Sequence, residues 1–341
     1  MTKWRRVLPG MVLLAGAALP SAAWAESKKT VTVASDGSGD FKDVQTAVDS
    51  AGAHGVIVRI KPGVYRQKLH ITSDGVELRG TGARPQDVVL TYNDSAKDAG
   101  GTTKSASVTI TGDNFLADNL TFENSWEREH AAEHVGSQAV AVLVSGDREV
   151  FRHVRFLGYQ DTLYANSKVC HSQSDVDAGA PCSAARQYFA DCYIEGHVDF
   201  IFGDAKAVFN RCELHAMPHS VVTITAQSRV YPAEDSGYLF ESSTVTAADG
   251  VGSLLLGRPW RAYSTVIFLR TKFDAQLNPA GWAEWDGKLK TSTYKEFGSS
   301  GNAGDLKSRI GEQPLSASDA AKLTTKSWLT GVDGWDPEAV R

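Results

Sequence analysis

The sequence predicts an all-β chain wound as a solenoid, and three observations carry that reading. Short runs rich in Val, Ile, Phe, Leu and Thr recur between Gly, Asn and Asp. They repeat in cycles of roughly 20 to 30 residues with two or three short strands each, the period that stacked coils need. Helical periodicity is confined to the neighbourhood of the two ends, where a solenoid must be covered. An ordinary β-sandwich shares the alternation of residue types and stays open on pattern alone.

Taken in order, the chain begins with Lys3, Arg5 and Arg6, an apolar run from Val7 to Leu19, and Ala23-Trp24-Ala25, a small-x-small pattern. This reads as a secretory signal peptide over residues 1–25, cleaved after Ala25. The apolar run, interrupted by Pro9, Gly10 and Gly16, is too short for a membrane span, which needs about 20 apolar residues. No cysteine precedes Cys170, so a lipid anchor is not expected. A soluble product, secreted or periplasmic, is expected. Next, Phe41, Val44, Ala47, Val48 and Ala51 fall on one face of a helix behind Asp40 as its cap. Strands are predicted at Val56–Ile60, Val76–Leu78, Val88–Leu90, Val108–Ile110, Ala139–Val144, Ala207–Phe209, Val221–Ile224 and Val266–Leu269. Ser167–Ala185, polar and bearing Gly and Pro, reads as a surface loop inserted into a coil. A second helix is expected over Ala317–Leu323. Because no Pro/Ser-rich linker divides the chain, residues 26–341 read as one domain.

The formal net charge is −5, and removal of Lys3, Arg5 and Arg6 with the leader takes it to −8. That balance excludes nucleic acid as a natural partner, since such binding is driven by basic patches. It also mildly disfavours a fully ionised acidic polymer. Cys170, Cys182, Cys192 and Cys212 lie within 43 residues, and in an exported chain they suggest disulfides. Four cysteines allow three pairings. No CxxC or HxxxH spacing supports a zinc site.

Gly158-Tyr159-Gln160-Asp161-Thr162-Leu163 and Asp199-Phe200-Ile201-Phe202-Gly203 each set an aspartate among aromatic and apolar neighbours. A bare carboxylate is costly there, so a partner or a task is implied. On the solenoid reading, Gln138 and Gln160, 22 apart, stack on neighbouring coils. Asp161 and Asp199, 38 apart, do the same once about 16 inserted loop residues are discounted. Cys192 and Cys212, 20 apart, are placed to bridge, leaving Cys170 and Cys182 to close the loop.

These residues carry a resemblance. The chain resembles the pectin methylesterase (pectinesterase) family, of bacterial secreted type, through Gly37-Ser38-Gly39-Asp40-Phe41-Lys42, Gly63-Val64-Tyr65, Gln138-Ala139-Val140-Ala141, the two aspartate segments, Thr225-Ala226-Gln227, Leu256-Gly257-Arg258-Pro259-Trp260 and Pro279-Ala280-Gly281-Trp282. The resemblance spans essentially the whole mature chain. It implies a right-handed parallel β-helix with a short N-terminal capping helix and a C-terminal helical or loop segment. It further implies Asp199 as nucleophile, Asp161 as general acid and then base, Gln138 and Gln160 as oxyanion donors, and Arg258 as partner of Asp199. Tyr164 and Phe202, three positions after Asp161 and Asp199, are implied to line the cleft. Trp260, Trp282 and Ser107 are implied to contact substrate. The implied substrate is methyl-esterified pectin, acted on by a monomer with no cofactor, metal, nucleic acid or membrane. One departure stands out: Gln67 replaces a frequent glutamate after Gly63-Val64-Tyr65-Arg66.

Each residue also has a structural reading. Gln138 suits a buried amide satisfied by main chain, Gln160 and Asp161 suit a turn, and Asp199 suits an ion pair with Arg211 or Lys206. Two other functions fit the same residues: an esterase or thioesterase on a smaller acyl group, and a silent polysaccharide-binding β-helix. Serine hydrolysis lacks a GxSxG elbow. Polygalacturonase chemistry wants further paired acids, and lyase chemistry a calcium-binding carboxylate cluster; neither is evident.

Overall fold

The computed structural model describes residues 28–133, 136–168 and 185–340, with Met1 and Thr2 at the start. The expected signal peptide and the expected Cys170–Cys182 bridge lie outside these residues. Within them the chain is a right-handed parallel β-helix built from sheets of ten, seven and nine strands, every ladder parallel. Each coil contributes one strand to each sheet in turn. On one coil, Glu149–Arg152 joins the ten-stranded sheet, Arg155–Leu157 the nine-stranded and Leu163–Ala165 the seven-stranded.

Inward-facing side chains fill the bore in rows that repeat with the coils. Phe151, Phe189, Phe209, Phe240 and Phe268 stack with centroids 4.8, 4.7, 4.5 and 4.4 Å apart. Parallel in-register strands impose this, because equivalent residues repeat at the strand spacing. The corner between the ten- and nine-stranded sheets is a column of left-handed residues: Asn119, His153, Asp191, Arg211, Ser242 and Arg270, with φ of 50 to 55°. Non-glycine residues avoid that conformation. Here it is offset by a ladder in which each corner amide donates to the next coil, as His153 to Ala190 and Asp191 to Asn210.

The N-terminal helix is shorter than its periodicity suggests, running Val44–Asp49 and burying Val44, Ala47 and Val48. Its cap is Asp43, whose carboxylate accepts from the Thr46 amide at 2.8 Å. Asp40, the expected cap, instead accepts from Thr32 N–H at 2.8 Å, because the chain from Thr32 to Phe41 closes a bridge first. Toward the C-terminus the helix expected over Ala317–Leu323 is shorter, Ala317–Ala320, and a further short helix follows at Thr325–Leu329. Both lie on the outer apolar face of the ten-stranded sheet, around Val208 and Leu239. Arg186 anchors this tail, reaching Asp147 and Asp333 at 2.6 Å each.

Candidate active site

The seven-stranded sheet carries the cleft. Leu163 pairs with Ile201 and Ile201 with Thr225, which puts Asp161, Asp199 and Thr223 in one column on three successive coils. The inserted segment thus leaves the coil-to-coil register of the aspartates intact. Gly203 closes the Asp199 segment at φ 115°, where a Cβ would meet the Ala165 carbonyl oxygen at 2.2 Å. Only glycine fits there.

A hollow of about 500 Å3 opens over this column, lined by Gln138, Gln160, Asp161, Tyr164, Asp199, Phe202, Arg258 and Trp260, with Thr102, Thr103, Ala226 and Trp285. All five residues assigned to catalysis are therefore brought together. Gln138 and Gln160 sit on adjacent coils, although the strand register offset is 21 rather than 22, as Val142 pairs with Leu163. The difference arises because residues 136–141 precede the regular strand. Ala139 N–H donates to the Gln160 carbonyl at 3.1 Å, tying the two together. Among the described residues neither side-chain amide has a protein partner, so both are free to donate into the cleft.

The two aspartates are equally buried, Asp161 8% and Asp199 7% exposed, but differently furnished. Arg258 grips Asp199 in a fork, with Nε 2.9 Å from Oδ1 and Nη2 2.7 Å from Oδ2. Thr223 Oγ1 donates to Asp199 Oδ1 at 2.7 Å and accepts from the Asp199 amide at 2.9 Å. The guanidinium lies over the Trp285 ring, 4.2 Å from its centroid. Arg–carboxylate forks of this kind add geometric specificity and fix the carboxylate's orientation. The structural alternatives are otherwise engaged: Arg211 pairs with Asp191 at 2.7 Å and Lys206 with Asp235 at 2.6 Å. Among the described residues Asp161 has no comparable partner. Burial, and after it the charge of Asp199, push its carboxyl well above the usual range, only partly opposed by Arg258. The two carboxyl groups, alike in backbone and burial, thus stand in different surroundings.

Aromatic side chains form one wall. Tyr164 stacks on Phe202 at 4.1 Å, and Trp260 leans on both at 6.4 and 5.9 Å. Burial, then Asp204 and Asp161, push the Tyr164 phenol up to about 12. Two expected substrate contacts are elsewhere. Trp282 is fully buried, stacked on Tyr294 at 4.1 Å with its Nε1–H on Glu312. It is core because its backbone bridges Gly257 and turns the ring into the bore. Ser107 is also fully buried, its amide on Val140 O and its hydroxyl turned toward Tyr92 O. Trp285 and Thr102–Thr103 line the cleft instead. Sequence reasoning missed Thr223 and Trp285; the 24-residue gap from Asp199 to Thr223, close to one coil, was the available signal. Cys192 and Cys212 do stand on consecutive coils, since Tyr193 pairs with Glu213, but as buried free thiols.

The family profile described as Pectinesterase matches residues 30–332. An Arabidopsis thaliana protein named "Probable pectinesterase/pectinesterase inhibitor 17" is 38% identical over 330 residues, covering 92% of this chain and 59% of that protein. The chain spans about half the length of the first curated relatives it matches, 59, 46 and 53%. Among solved structures, the pectin methylesterase from carrot superposes with a TM-score of 0.78 at 32% identity, covering 91% of this chain and 95% of that one. A pectin methylesterase in complex with a hexasaccharide superposes with a TM-score of 0.74 at 27% identity, covering 92 and 99%.

Proposed function

The chain belongs to the pectinesterase family, and we propose that it hydrolyses the methyl esters of polygalacturonate, releasing methanol and leaving pectate. The observation that carries this reading is the divided aspartate pair: Asp199 forked by Arg258 and bonded by Thr223, Asp161 buried without such a partner. Asp199 attacks the ester carbonyl carbon, and the negative charge that develops on the carbonyl oxygen is met by the amides of Gln138 and Gln160. Such preorganised donors are typically worth about 2.7–4 kcal/mol each. The C–O bond to methoxide breaks as Asp161 gives up its proton, so methanol departs and an anhydride joins Asp199 to the polymer. Asp161, now a carboxylate, takes a proton from water. The hydroxide cleaves the anhydride, restoring Asp199 and freeing the galacturonate carboxyl group.

The aromatic wall of Tyr164, Phe202 and Trp260 suits the C–H faces of sugar rings. A relative solved with a hexasaccharide supports an oligosaccharide groove of this kind. A secreted or periplasmic location, through cleavage after Ala25, belongs to the same proposal, as does action as a monomer.

The test is an assay on highly methylated pectin that follows methanol and chain length together. Methanol without shortening is expected. Shortening or unsaturated ends would point to a depolymerase, and turnover of small acyl esters or thioesters without methanol from pectin would point to the smaller-substrate reading.

A further inference from the structure

We propose that His197 is a positioning residue for both aspartates, acting through the main chain of Val198; this rests on reading Asp161 and Asp199 as the reacting pair. His197 is 4% exposed and does not line the cleft. Its Nδ1 lies 2.7 Å from the Val198 amide nitrogen. A main-chain N–H only donates, so Nδ1 is the acceptor and the ring proton sits on Nε2. That Nε2 lies 2.8 Å from Oε1 of Glu127, a residue of the separate Trp126–Glu129 helix. Among the described residues the second oxygen of Glu127 is buried without a partner, and the imidazole is that carboxylate's hydrogen-bonding group. Tyr159 and His219 close the two sides of the ring at 5.8 and 4.7 Å.

The main-chain bonds show what this clamp holds. Val198 O accepts from the Asp161 amide at 3.1 Å, and Asp199 follows Val198 directly. His197 N–H donates to Tyr159 O at 2.9 Å, two residues before Asp161. His197 O accepts from the Thr223 amide at 3.0 Å, and Thr223 bonds Asp199. Both aspartates are left-handed, with φ 64° and 53°. A non-glycine residue stays there only where its surroundings over-determine it. From behind the site the imidazole thereby holds the His197–Val198 peptide, whose carbonyl receives Thr223, and through Val198 the next peptide, whose carbonyl receives the Asp161 amide.

The test is steady-state kinetics on methylated pectin. His197→Ala is expected to lower kcat roughly 10- to 100-fold, the scale of a small misplacement of reacting groups, with KM within about twofold. His197→Asn puts an amide oxygen in the place of Nδ1 and is expected to restore most of kcat. His197→Gln reaches toward Glu127 but not toward Val198, and is expected to stay low. Equal kcat in the Asn and Gln variants, wild-type kcat in the Ala variant, or a change confined to KM would each overturn the proposal. Should His197→Ala not fold, the Asn and Gln pair still decides. Wild-type protein that releases no methanol, or an active Asp199→Ala variant, would remove the underlying reading and this inference with it. Methanol release that needs Asp199 but ignores His197 would overturn this inference alone.

Discussion

Asp199 lies one coil beyond Asp161 in the same register, set by Leu163 opposite Ile201. Both are left-handed and nearly equally buried, so the backbone treats them alike. Their difference comes from side chains on the following coils, Thr223 and Arg258, which reach Asp199.

Asp161 illustrates the cost of such a site. Its folded pKa is raised above the unfolded value, by burial first and Asp199 second. The stability it contributes is therefore complete below the unfolded pKa and is lost as pH rises through the folded one. Asp161→Asn is expected to abolish methanol release while raising Tm, by more at pH 8 than at pH 4. Thermal unfolding across that range checks it, and a Tm gain that shrinks with rising pH would contradict it.

Trp260 and Trp282 are expected to separate cleanly. Trp282 is fully buried and stacked, so Trp282→Ala should cost about 3–5 kcal/mol in urea unfolding, as large-to-small core changes do. Trp260 lines the cleft, so Trp260→Ala should raise KM for pectin several-fold with a much smaller loss of stability.

The fold was legible because parallel coils repeat residue types at a readable period, and the cleft because its aspartates sit at that period. What failed to read did so for physical reasons. Asp40 and Asp43 are equally good caps by type, and only the bridge from Val33 to Phe41 decides between them. Trp282 and Trp285 are three residues apart in one aromatic segment; which ring turns inward depends on the pairing of Trp282 with Gly257. The left-handed corner at His153, Asp191, Arg211, Ser242 and Arg270 is held by four different residue types. Backbone bonding between coils specifies it, so no local signal marks it.

Gln67 faces the N-terminal helix, its Oε1 toward the Gln45 amide at 3.5 Å. Gln67→Glu puts a negative charge near the helix start, worth about 0.3–1 kcal/mol. Methanol release is expected to stay near wild type, with stability unchanged or slightly higher in urea unfolding.

For Cys192 and Cys212, we propose that oxidation during export joins them across adjacent coils. In the free state each Sγ faces a main-chain carbonyl, Phe151 O and Phe189 O, at 3.5 Å. Burial raises the Cys192 thiol well above its ordinary range, which makes it unreactive once folded. The bond is therefore expected to form only if oxidant is present during folding. Alkylation and mass spectrometry of protein purified from the periplasm or medium should show the two blocked together, and two alkylated peptides would contradict the bridge.

The central assignment is Asp199 as nucleophile, and methanol release from highly methylated pectin by Asp199→Ala tests it most directly. The variant is expected to release no methanol above the blank while retaining a cooperative unfolding transition. Wild-type methanol release from that folded variant would contradict the assignment.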